Sequence, residues 1–198
     1  GTTRDDAAGE AFDKGARLLG LDMPGGPALA ALAATAPDEG RVEFSPAMIH
    51  HDTLDTSFSG IKTALAVAVR ERRDAGGAGA SDAELAAAYE HAIVETIAGC
   101  ARKLLRQRGP GSGHPAERDT LALVGGVAAN ARLRSRMTDI CTEFSVRSVR
   151  TPLRWCGDNA AMIGVAAAWG TERTGQDAWS VDAYATTPLF RDGTIVPN

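Results

Sequence analysis

One stretch of ten residues constrains the fold of this chain more than any other. It opens with the apolar run Leu121–Val124, which is typical of a buried β-strand. Gly125 and Gly126 end that strand, and the arginine-rich segment Ala131–Met137 then has the spacing of an amphipathic helix. The order predicts a strand, a glycine turn and a helix, with Asn130 in the first helical turn.

This arrangement suits a nucleotide. Glycine has no Cβ, so a ligand can lie against the backbone of the turn. Free N–H groups at the start of a helix favour phosphate, and the amide of Asn130 can hydrogen-bond a ribose or a base. A plain tight turn is the alternative, since a Gly-Gly turn after a strand is common in α/β proteins.

The composition argues against several classes of protein. The 198 residues carry a net charge of −4, which argues against a nucleic-acid-binding domain that acts by charge alone. Cys100, Cys141 and Cys156 form no Cys-x-x-Cys pair, so they favour a reducing cytoplasm over a disulfide framework or a zinc knuckle. We also expect no membrane span and no signal peptide, because no apolar run is long enough.

Helices are expected to dominate the rest of the chain. Apolar spacing and breaker residues predict helices at Asp6–Leu19, Ala28–Ala34 and Ala160–Trp169. A further helix is predicted to run to about Arg73 with Ser57 or Ser59 as its N-cap, and a long helix to about Arg108 with Ser81 or Asp82 as its N-cap. Further strands are predicted at Arg41–Phe44 and Phe144–Val149. The expected plan is therefore α/β, with two strand–turn–helix units whose turns face one cleft.

Four residues outside the central turn are candidate ligand contacts. Asp13 could accept hydrogen bonds from ligand hydroxyls or simply be solvated. Gly26 could present a bare N–H at a helix start or belong to a plain turn. Lys62 lies in the first turn of its helix, against the favoured charge, so it could meet an anion or be solvated. Asp158, after the second strand, could cap a helix or hold a cation beside a phosphate.

Five motifs occur in an order that resembles a known family. They are Asp5-Asp6-Ala7-Ala8-Gly9-Glu10-Ala11-Phe12-Asp13-Lys14, Pro24-Gly25-Gly26-Pro27, Ser57-Phe58-Ser59-Gly60-Ile61-Lys62, Gly125-Gly126-Val127-Ala128-Ala129-Asn130 and Cys156-Gly157-Asp158-Asn159-Ala160-Ala161-Met162-Ile163. From residue 2 to about residue 170 the chain resembles the TsaD family. These are the tRNA N6-adenosine threonylcarbamoyltransferases, once described as O-sialoglycoprotein endopeptidases.

The resemblance implies the two-lobed α/β fold shared by actin, the Hsp70 ATPase domain and the sugar kinases. Residues 1–175 would form the C-terminal lobe with a helical insertion, and residues 176–198 a tail, with the N-terminal lobe absent from this chain. Family members transfer threonylcarbamoyl from threonylcarbamoyl-adenylate to the exocyclic amine of the adenine 3′ to the anticodon, in tRNAs that read codons beginning with A. Without the other lobe, we expect this chain to be inactive.

The same resemblance assigns the binding residues. It implies that the adenylate is contacted by Asp13, Gly26 and Asn130. Gly125, Gly126 and Lys62 are further candidates from the residues alone. No residue is an evident general base.

The implied metal site is incomplete in this chain. Asp158 would be one ligand of a divalent ion, with iron favoured over zinc. The other family ligands are histidines of an HxxxH motif in the N-terminal lobe, and no HxxxH occurs in this sequence. We therefore expect no tightly bound metal here, because one carboxylate is a poor site by itself.

The implied partners are tRNA, TsaB-like and TsaE-like subunits and a separate synthase that makes the adenylate. The segments Arg102–Arg108 and Arg132–Arg136 could meet tRNA phosphates, although solvated helix faces are the simpler interpretation. Three rival classes stay open: an ATP-binding scaffold or sugar kinase of the same fold, a catalytically dead subunit like TsaB, and a metallopeptidase.

Overall fold

The computed structural model describes residues 1–37, 42–48, 50–107 and 120–170, together with the backbone of two short strands near the C-terminus. The chain divides into two units, Gly1–Asp158 and Asn159–Asn198. Arg41, Arg108 and most of the predicted tail 176–198 lie outside the described residues.

The first unit is mainly helical. Its helices and strands are α1 (Ala8–Leu18), α2 (Gly25–Ala33), α3 (Ser59–Asp74), α4 (Asp82–Gln107), β1 (Thr120–Leu123), α5 (Ala131–Glu143) and β2 (Arg147–Arg150), with 3₁₀ turns at Gly126–Ala129 and Leu153–Trp155. The second unit contains α6 (Ala160–Trp169) and an antiparallel pair, β3 (Phe190–Arg191) and β4 (Thr194–Ile195).

Some predicted elements have different bounds. The helix predicted at Ala28–Ala34 begins at Gly25, so Pro27 lies in its first turn as expected but Gly26 is already helical. The strand predicted at 41–44 is wrong over its described part, because residues 42–44 form no strand.

The second predicted strand starts late. It was expected from Phe144, but β2 begins at Arg147. Phe144 is instead the C-cap of α5, and its N–H donates to the Ile140 carbonyl at 3.0 Å. The helical hydrogen bonds thus continue past the predicted helix end at Met137.

Helix α3 is capped by a residue from before α1. Ser57 and Ser59 were the predicted N-caps, but Phe58 holds that position. The Asp5 carboxylate accepts the Phe58 N–H at 2.8 Å and the hydroxyls of Ser57 and Ser59 at 2.5 and 2.8 Å. A negative charge at a helix N-terminus is favourable, so Asp5 fixes the start of α3.

Helix α4 begins with the side-chain cap that the sequence predicts. Ser81 Oγ accepts the Glu84 N–H at 3.2 Å, and Glu84 Oε2 accepts the Ser81 N–H at 2.8 Å. This reciprocal pair is a capping box.

Four helices surround the first hydrophobic cluster. Its buried side chains include Phe12 of α1, Leu29 of α2, Leu65 of α3, and Tyr89 and Ile93 of α4. Tyr89 is 0% exposed and donates its hydroxyl to the Ala11 carbonyl at 2.8 Å. Burial raises the pKa of Tyr89 well above its usual value, so the phenol stays neutral. Tyr89 is therefore a core residue.

The second half of α4 packs against α5 and β1. The buried side chains of this second cluster include Val94, Ala98, Leu133, Met137 and Ile140. Helix α4 therefore contributes to both clusters, and its length follows from the two apolar surfaces it must cover.

The sheet of the first unit has two strands. β1 and β2 are parallel, with Thr120 opposite Arg147 and Leu123 opposite Arg150. All four residues of β2 are exposed, and β1 alternates between exposed and half-buried residues. The strand predicted to be buried is therefore only half covered. Parallel sheets are normally covered on both faces, so one face of this pair lacks its usual cover within the described residues.

Helix α6 starts differently from one expectation. Its N-cap is Asn159, whose Oδ1 accepts the Met162 N–H at 3.0 Å, so the cap considered for Asp158 is wrong. The helix has ten residues, whereas a membrane span needs about 20. Across the described part of the chain, no helix combines the length and apolar character that crossing a membrane would require.

Candidate functional site

A cavity of about 630 Å³ lies in the first unit, between α1, the start of α2 and the glycine turn after β1. Four of the residues singled out from the sequence line it: Asp13, Gly26, Gly126 and Asn130. Its volume falls within the range of small-molecule sites. Among the lining residues Asp13 is the one charged side chain and Asn130 the one polar uncharged side chain, so the rest of the wall is apolar side chains and backbone.

Asp13 is oriented by the start of α2. Its Oδ1 accepts the Gly25 N–H at 2.9 Å. A Cβ on Gly25 would lie 2.7 Å from both the Asp13 Cα and the Ala16 Cβ, so glycine is needed for α1 and α2 to touch. The other oxygen, Oδ2, has no hydrogen-bond partner among the described residues and can accept from a ligand hydroxyl.

Gly26 is the second residue of α2. At this position the N–H has no acceptor within the helix. The atom nearest to a Cβ built on Gly26 would be the Phe12 Cβ at 3.9 Å, so the space beside Gly26 is open. Because Pro24 and Pro27 line the same cavity, the positive end of the α2 dipole lies at its wall.

The two glycines of the turn, Gly125 and Gly126, have different roles. Gly125 has φ 86° and ψ 173°, a conformation that is essentially restricted to glycine. Gly126 begins the 3₁₀ turn and lines the cavity, and a Cβ there would meet nothing within 4 Å. The backbone geometry thus requires glycine at Gly125, whereas at Gly126 the missing side chain leaves room in the cavity.

Both the nitrogen and the oxygen of the Asn130 side-chain amide form hydrogen bonds within the protein. Oδ1 accepts the Leu133 N–H at 2.8 Å and caps α5, while Nδ2 donates to Glu90 Oε1 at 2.7 Å. Glu90 is 6% exposed, and its Oε2 lies 3.4 Å from Arg132 Nε. The amide that the sequence offered to a ligand is therefore fixed in orientation, with one N–H and one oxygen lone pair remaining for that purpose.

The arrangement can bind an anionic ligand that has an apolar or aromatic part. Both α2 and α5 begin at the cavity wall, and helix N-termini attract anions. Phe12 and Val127 supply apolar surface, and Asp13 can accept from hydroxyls. Phosphate, sugar and base are the parts of a nucleotide that match these three kinds of contact.

Lys62 lies outside this cavity. Its Nζ is 2.9 Å from Asp6 Oδ2, and the other Asp6 oxygen is 2.6 Å from Lys14 Nζ. The hydrogen bonds from Lys14 and Lys62 lower the pKa of Asp6. The carboxylate of Asp6 therefore accounts for a cation in the first turn of α3, and Lys62 is not among the residues that line the cavity.

Asp158 is exposed and also does not line the cavity. Arg134 nevertheless links the two turns that follow the strands, because its Nε donates to the Ala128 carbonyl and its Nη2 to the Thr151 carbonyl. The turns are neighbours, as two adjacent strand–turn–helix units would require. The cavity, however, is built on the first turn and not on the segment that carries Asp158.

The metal expected from the resemblance does not fit the donors that the described residues of this chain supply. In the part of the chain that the structure describes, no three His, Cys, Asp or Glu side chains are grouped so that they could hold a metal ion. Asp158 is therefore a single exposed carboxylate. A divalent transition metal needs further ligands.

The arginine-rich segments are used within the protein. Arg102 pairs with Glu143 at 2.8 Å, and Arg136 pairs with Glu95 at 2.6 Å. Burial acts to raise the pKa of Glu95, but the hydrogen bond from Arg136 and the nearby positive charges together outweigh burial, so the pKa is lowered. These pairs hold α4 to α5, so Arg102 and Arg136 are not simply solvated, whereas Arg106 is exposed.

Glu90 is the site residue that the sequence analysis missed. It lies four residues from Ala86 and four from Val94, and both are buried. Residues at this spacing share one helix face. A carboxylate on an otherwise apolar face was the available signal, because such a group needs a buried partner.

Fold and cavity together define a helix-rich α/β protein that has a small-molecule cavity at a glycine turn. The family model for TsaD, tRNA N6-adenosine threonylcarbamoyltransferase, matches residues 1–165. The chain belongs to the TsaD family. The TsaD family has an actin-like ATPase fold. The helices and the small parallel sheet of this chain are consistent with that fold.

Three relatives illustrate the similarity, and each is named tRNA N6-adenosine threonylcarbamoyltransferase. The Bordetella petrii protein is 46% identical over 169 residues, which are 85% of this chain and 46% of the relative. The Cereibacter sphaeroides protein is 42% identical over 197 residues, which are 96% of this chain and 52% of the relative. The Anaeromyxobacter dehalogenans protein is 44% identical over 181 residues, which are 89% of this chain and 51% of the relative. The chain spans about half the length of these relatives.

Proposed function

We propose that this chain is the adenylate-binding part of a tRNA N6-adenosine threonylcarbamoyltransferase. The observation that supports this most is the cavity of about 630 Å³, where Asp13, Gly26 and Asn130 come together although Asn130 is far from Asp13 in the sequence. The family and the cavity point to the same kind of ligand, since an acyl-adenylate has the ribose, base and phosphate that these walls suit.

In this proposal the phosphate of threonylcarbamoyl-adenylate lies against the starts of α2 and α5. The helix dipoles and the unpaired N–H of Gly26 favour its negative charge. Oδ2 of Asp13 accepts from a ribose hydroxyl, and the fixed amide of Asn130 meets the nucleoside. Phe12 and Val127 cover the base.

The chemistry is acyl transfer to the exocyclic amine of the adenine 3′ to the anticodon, in tRNAs that read codons beginning with A. The amine nitrogen forms a bond to the carbamoyl carbon, the bond from that carbon to the phosphate oxygen breaks, AMP leaves and the amine gives up one proton. The residues of the cavity hold and orient the donor. We assign no general base.

We further propose that residues 1–175 form the C-terminal lobe of a two-lobed protein, with α1–α4 as its helical insertion and residues 176–198 as a tail. The half-covered sheet of β1 and β2 supports this, because a parallel pair with an exposed face is usually part of a larger sheet. A cytoplasmic location and partners like TsaB and TsaE, with a separate synthase supplying the adenylate, belong to the same proposal.

A divalent metal, with iron favoured over zinc, belongs to the whole protein in this proposal. Asp158 would supply one ligand and the remaining ligands would come from the other lobe. When bound, such an ion would act as a Lewis acid or an orienting charge. Since the described residues of this chain do not form its site, we expect the 198-residue chain alone to bind no metal tightly and to transfer nothing.

The test uses the complete gene product with its partner subunits and synthase. Transfer of labelled threonine to tRNA is measured for the wild type, for Asp158→Ala and for Asp139→Ala, an exposed carboxylate on α5 that serves as the matched control. Transfer that collapses in Asp158→Ala alone supports both the function and the metal role. If transfer persists in Asp158→Ala, the proposed function stands and the proposal that Asp158 is a metal ligand is excluded.

The same assay separates the rival function. A wild-type complex that binds the adenylate or ATP but never modifies tRNA would contradict the transferase and favour a non-catalytic ATP-binding scaffold or paralogous subunit of the same fold.

A further inference from the structure

A second cavity of about 520 Å³ lies between the end of α1, the last turns of α3 and the glycine turn at 76–77. Three arginines line it, Arg17, Arg72 and Arg73, against one carboxylate, Asp82. The excess of positive charge is local, because the chain as a whole has a net charge of −4. The function proposed above makes no use of this cavity.

The arginines are not fully used by the protein. Nη1 of Arg72 pairs with Asp82, but its Nε is buried without a hydrogen-bond partner. Arg17 and Arg73 are exposed and form no ion pair within the described residues. The exposed guanidinium groups of Arg17 and Arg73 therefore leave the cavity with hydrogen-bond donors for an anion.

The position of the cavity indicates what kind of anion can reach it. Arg17 follows Asp13 by four residues, which places both on the same face of α1 at a rise of about 6 Å. The two cavities thus follow each other along one helix, with Asp13 at the first and Arg17 at the second. A polynucleotide is long enough to place a base near the first and a backbone phosphate in the second.

We propose that Arg17, Arg72 and Arg73 bind a phosphate group of an RNA backbone. Arginine suits this role because its planar fork of N–H donors matches two phosphate oxygens at once. Gly76 and Gly77 leave that side of the cavity open, since a Cβ on either would meet nothing within 4 Å. The assignment rests on the proposed function, because tRNA is the RNA that supplies the phosphate.

The test measures binding of an unmodified tRNA transcript to the complete gene product at several salt concentrations. Arg17→Gln and Arg73→Gln are each expected to weaken binding about three- to tenfold at low salt and to reduce the slope of log K against log salt by about 1. Arg70→Gln is the matched control, since Arg70 is exposed on the same helix but does not line the cavity. Arg72 is left unchanged because its pairing with Asp82 joins α3 to α4.

Two results would overturn the assignment. In the first, the variants at Arg17 and Arg73 bind the transcript as tightly as Arg70→Gln does, while the wild type still modifies tRNA, so that the site fails and the function stands. In the second, titrated inorganic phosphate binds the wild type and loses affinity in both variants while tRNA affinity is unchanged, which would make this a site for free phosphate. Failure of the wild type to transfer to a tRNA that it binds would instead contradict the proposed function.

Discussion

Asn130 Nδ2 donates to Glu90 Oε1 at 2.7 Å, so the residue that caps α5 is also bound to the middle of α4. Glu90 is 6% exposed, and a buried carboxylate is tolerated only when it keeps its partners. The wall of the cavity is therefore attached to the longest described helix of the first unit through one amide.

Asn130→Ala should destabilise the protein in two ways. Loss of the cap costs about 1 kcal/mol, and Glu90 loses a donor, which costs about 1–3 kcal/mol. Asn130→Ser is the matched variant, because its hydroxyl can still cap α5 but is too short to reach Glu90. Urea unfolding should rank the wild type above Ser and Ser above Ala. An Asn130→Ser protein as stable as the wild type would show that the Glu90 bond contributes nothing, and an Asn130→Ala protein as stable as Asn130→Ser would do the same for the cap.

Gly126→Ala should separate binding from folding. A methyl group there meets no protein atom within 4 Å, so the free energy of unfolding is expected to change little, while adenylate binding weakens because the methyl enters the cavity. Gly125→Ala is the contrasting variant, since its φ of 86° makes alanine cost about 1–3 kcal/mol. Calorimetric unfolding and equilibrium binding, measured on both, check the contrast. Unimpaired binding by Gly126→Ala would remove the turn from the site.

Gly15→Ala should be destabilising although alanine is the better helix former. A Cβ at Gly15 would lie 2.2 Å from Tyr89 Cε1, and the Tyr89 ring is fully buried. Overpacking of a core costs about 1–3 kcal/mol, against a gain in helix propensity of about 1 kcal/mol. Gly60→Ala, which meets nothing within 4 Å, should not lower the melting temperature. A Gly15→Ala protein as stable as the wild type would contradict this packing.

Asp5 should make stability depend on acid pH. Burial acts to raise its pKa, but the Phe58 N–H and the hydroxyls of Ser57 and Ser59 outweigh it and bring the pKa to about 2 from 3.8. Because the folded-state pKa is lower than the unfolded one, this stabilisation is complete above about pH 4 and is lost as the pH falls towards 2. The stability difference between the wild type and Asp5→Asn should therefore shrink over that range.

Urea unfolding between pH 7 and pH 2 measures this difference. Asp52→Asn, at an exposed loop residue, reports the general effect of removing one negative charge. A difference between the wild type and Asp5→Asn that stays constant down to pH 2 would exclude the Asp5 cap.

Local signals were sufficient for much of the fold. The apolar face of α4 and its Ser81–Glu84 capping box set a helix that was predicted almost to the residue. Gly126 and Asn130 could be placed at a turn and a helix start because glycine and asparagine have a local meaning there. Their role in binding an adenylate stays a prediction.

Distant partners were beyond such signals. Asp5 meets Phe58 across 53 residues, and Asn130 meets Glu90 across 40. Nothing local in the sequence states which carboxylate reaches which helix, because that depends on how α1, α3 and α4 pack. For the same reason Lys62, which looked free to meet an anion, proved to be paired with Asp6.

The first half of α4 belongs to one hydrophobic cluster and its second half to the other. Unfolding of either cluster is therefore expected to disrupt α4 and, with it, the other cluster. Helices α1–α5 should therefore lose structure in one cooperative step. A small molecule bound between α1 and α5 would then slow amide hydrogen exchange in helices it never touches, α3 among them, as much as in those that hold it.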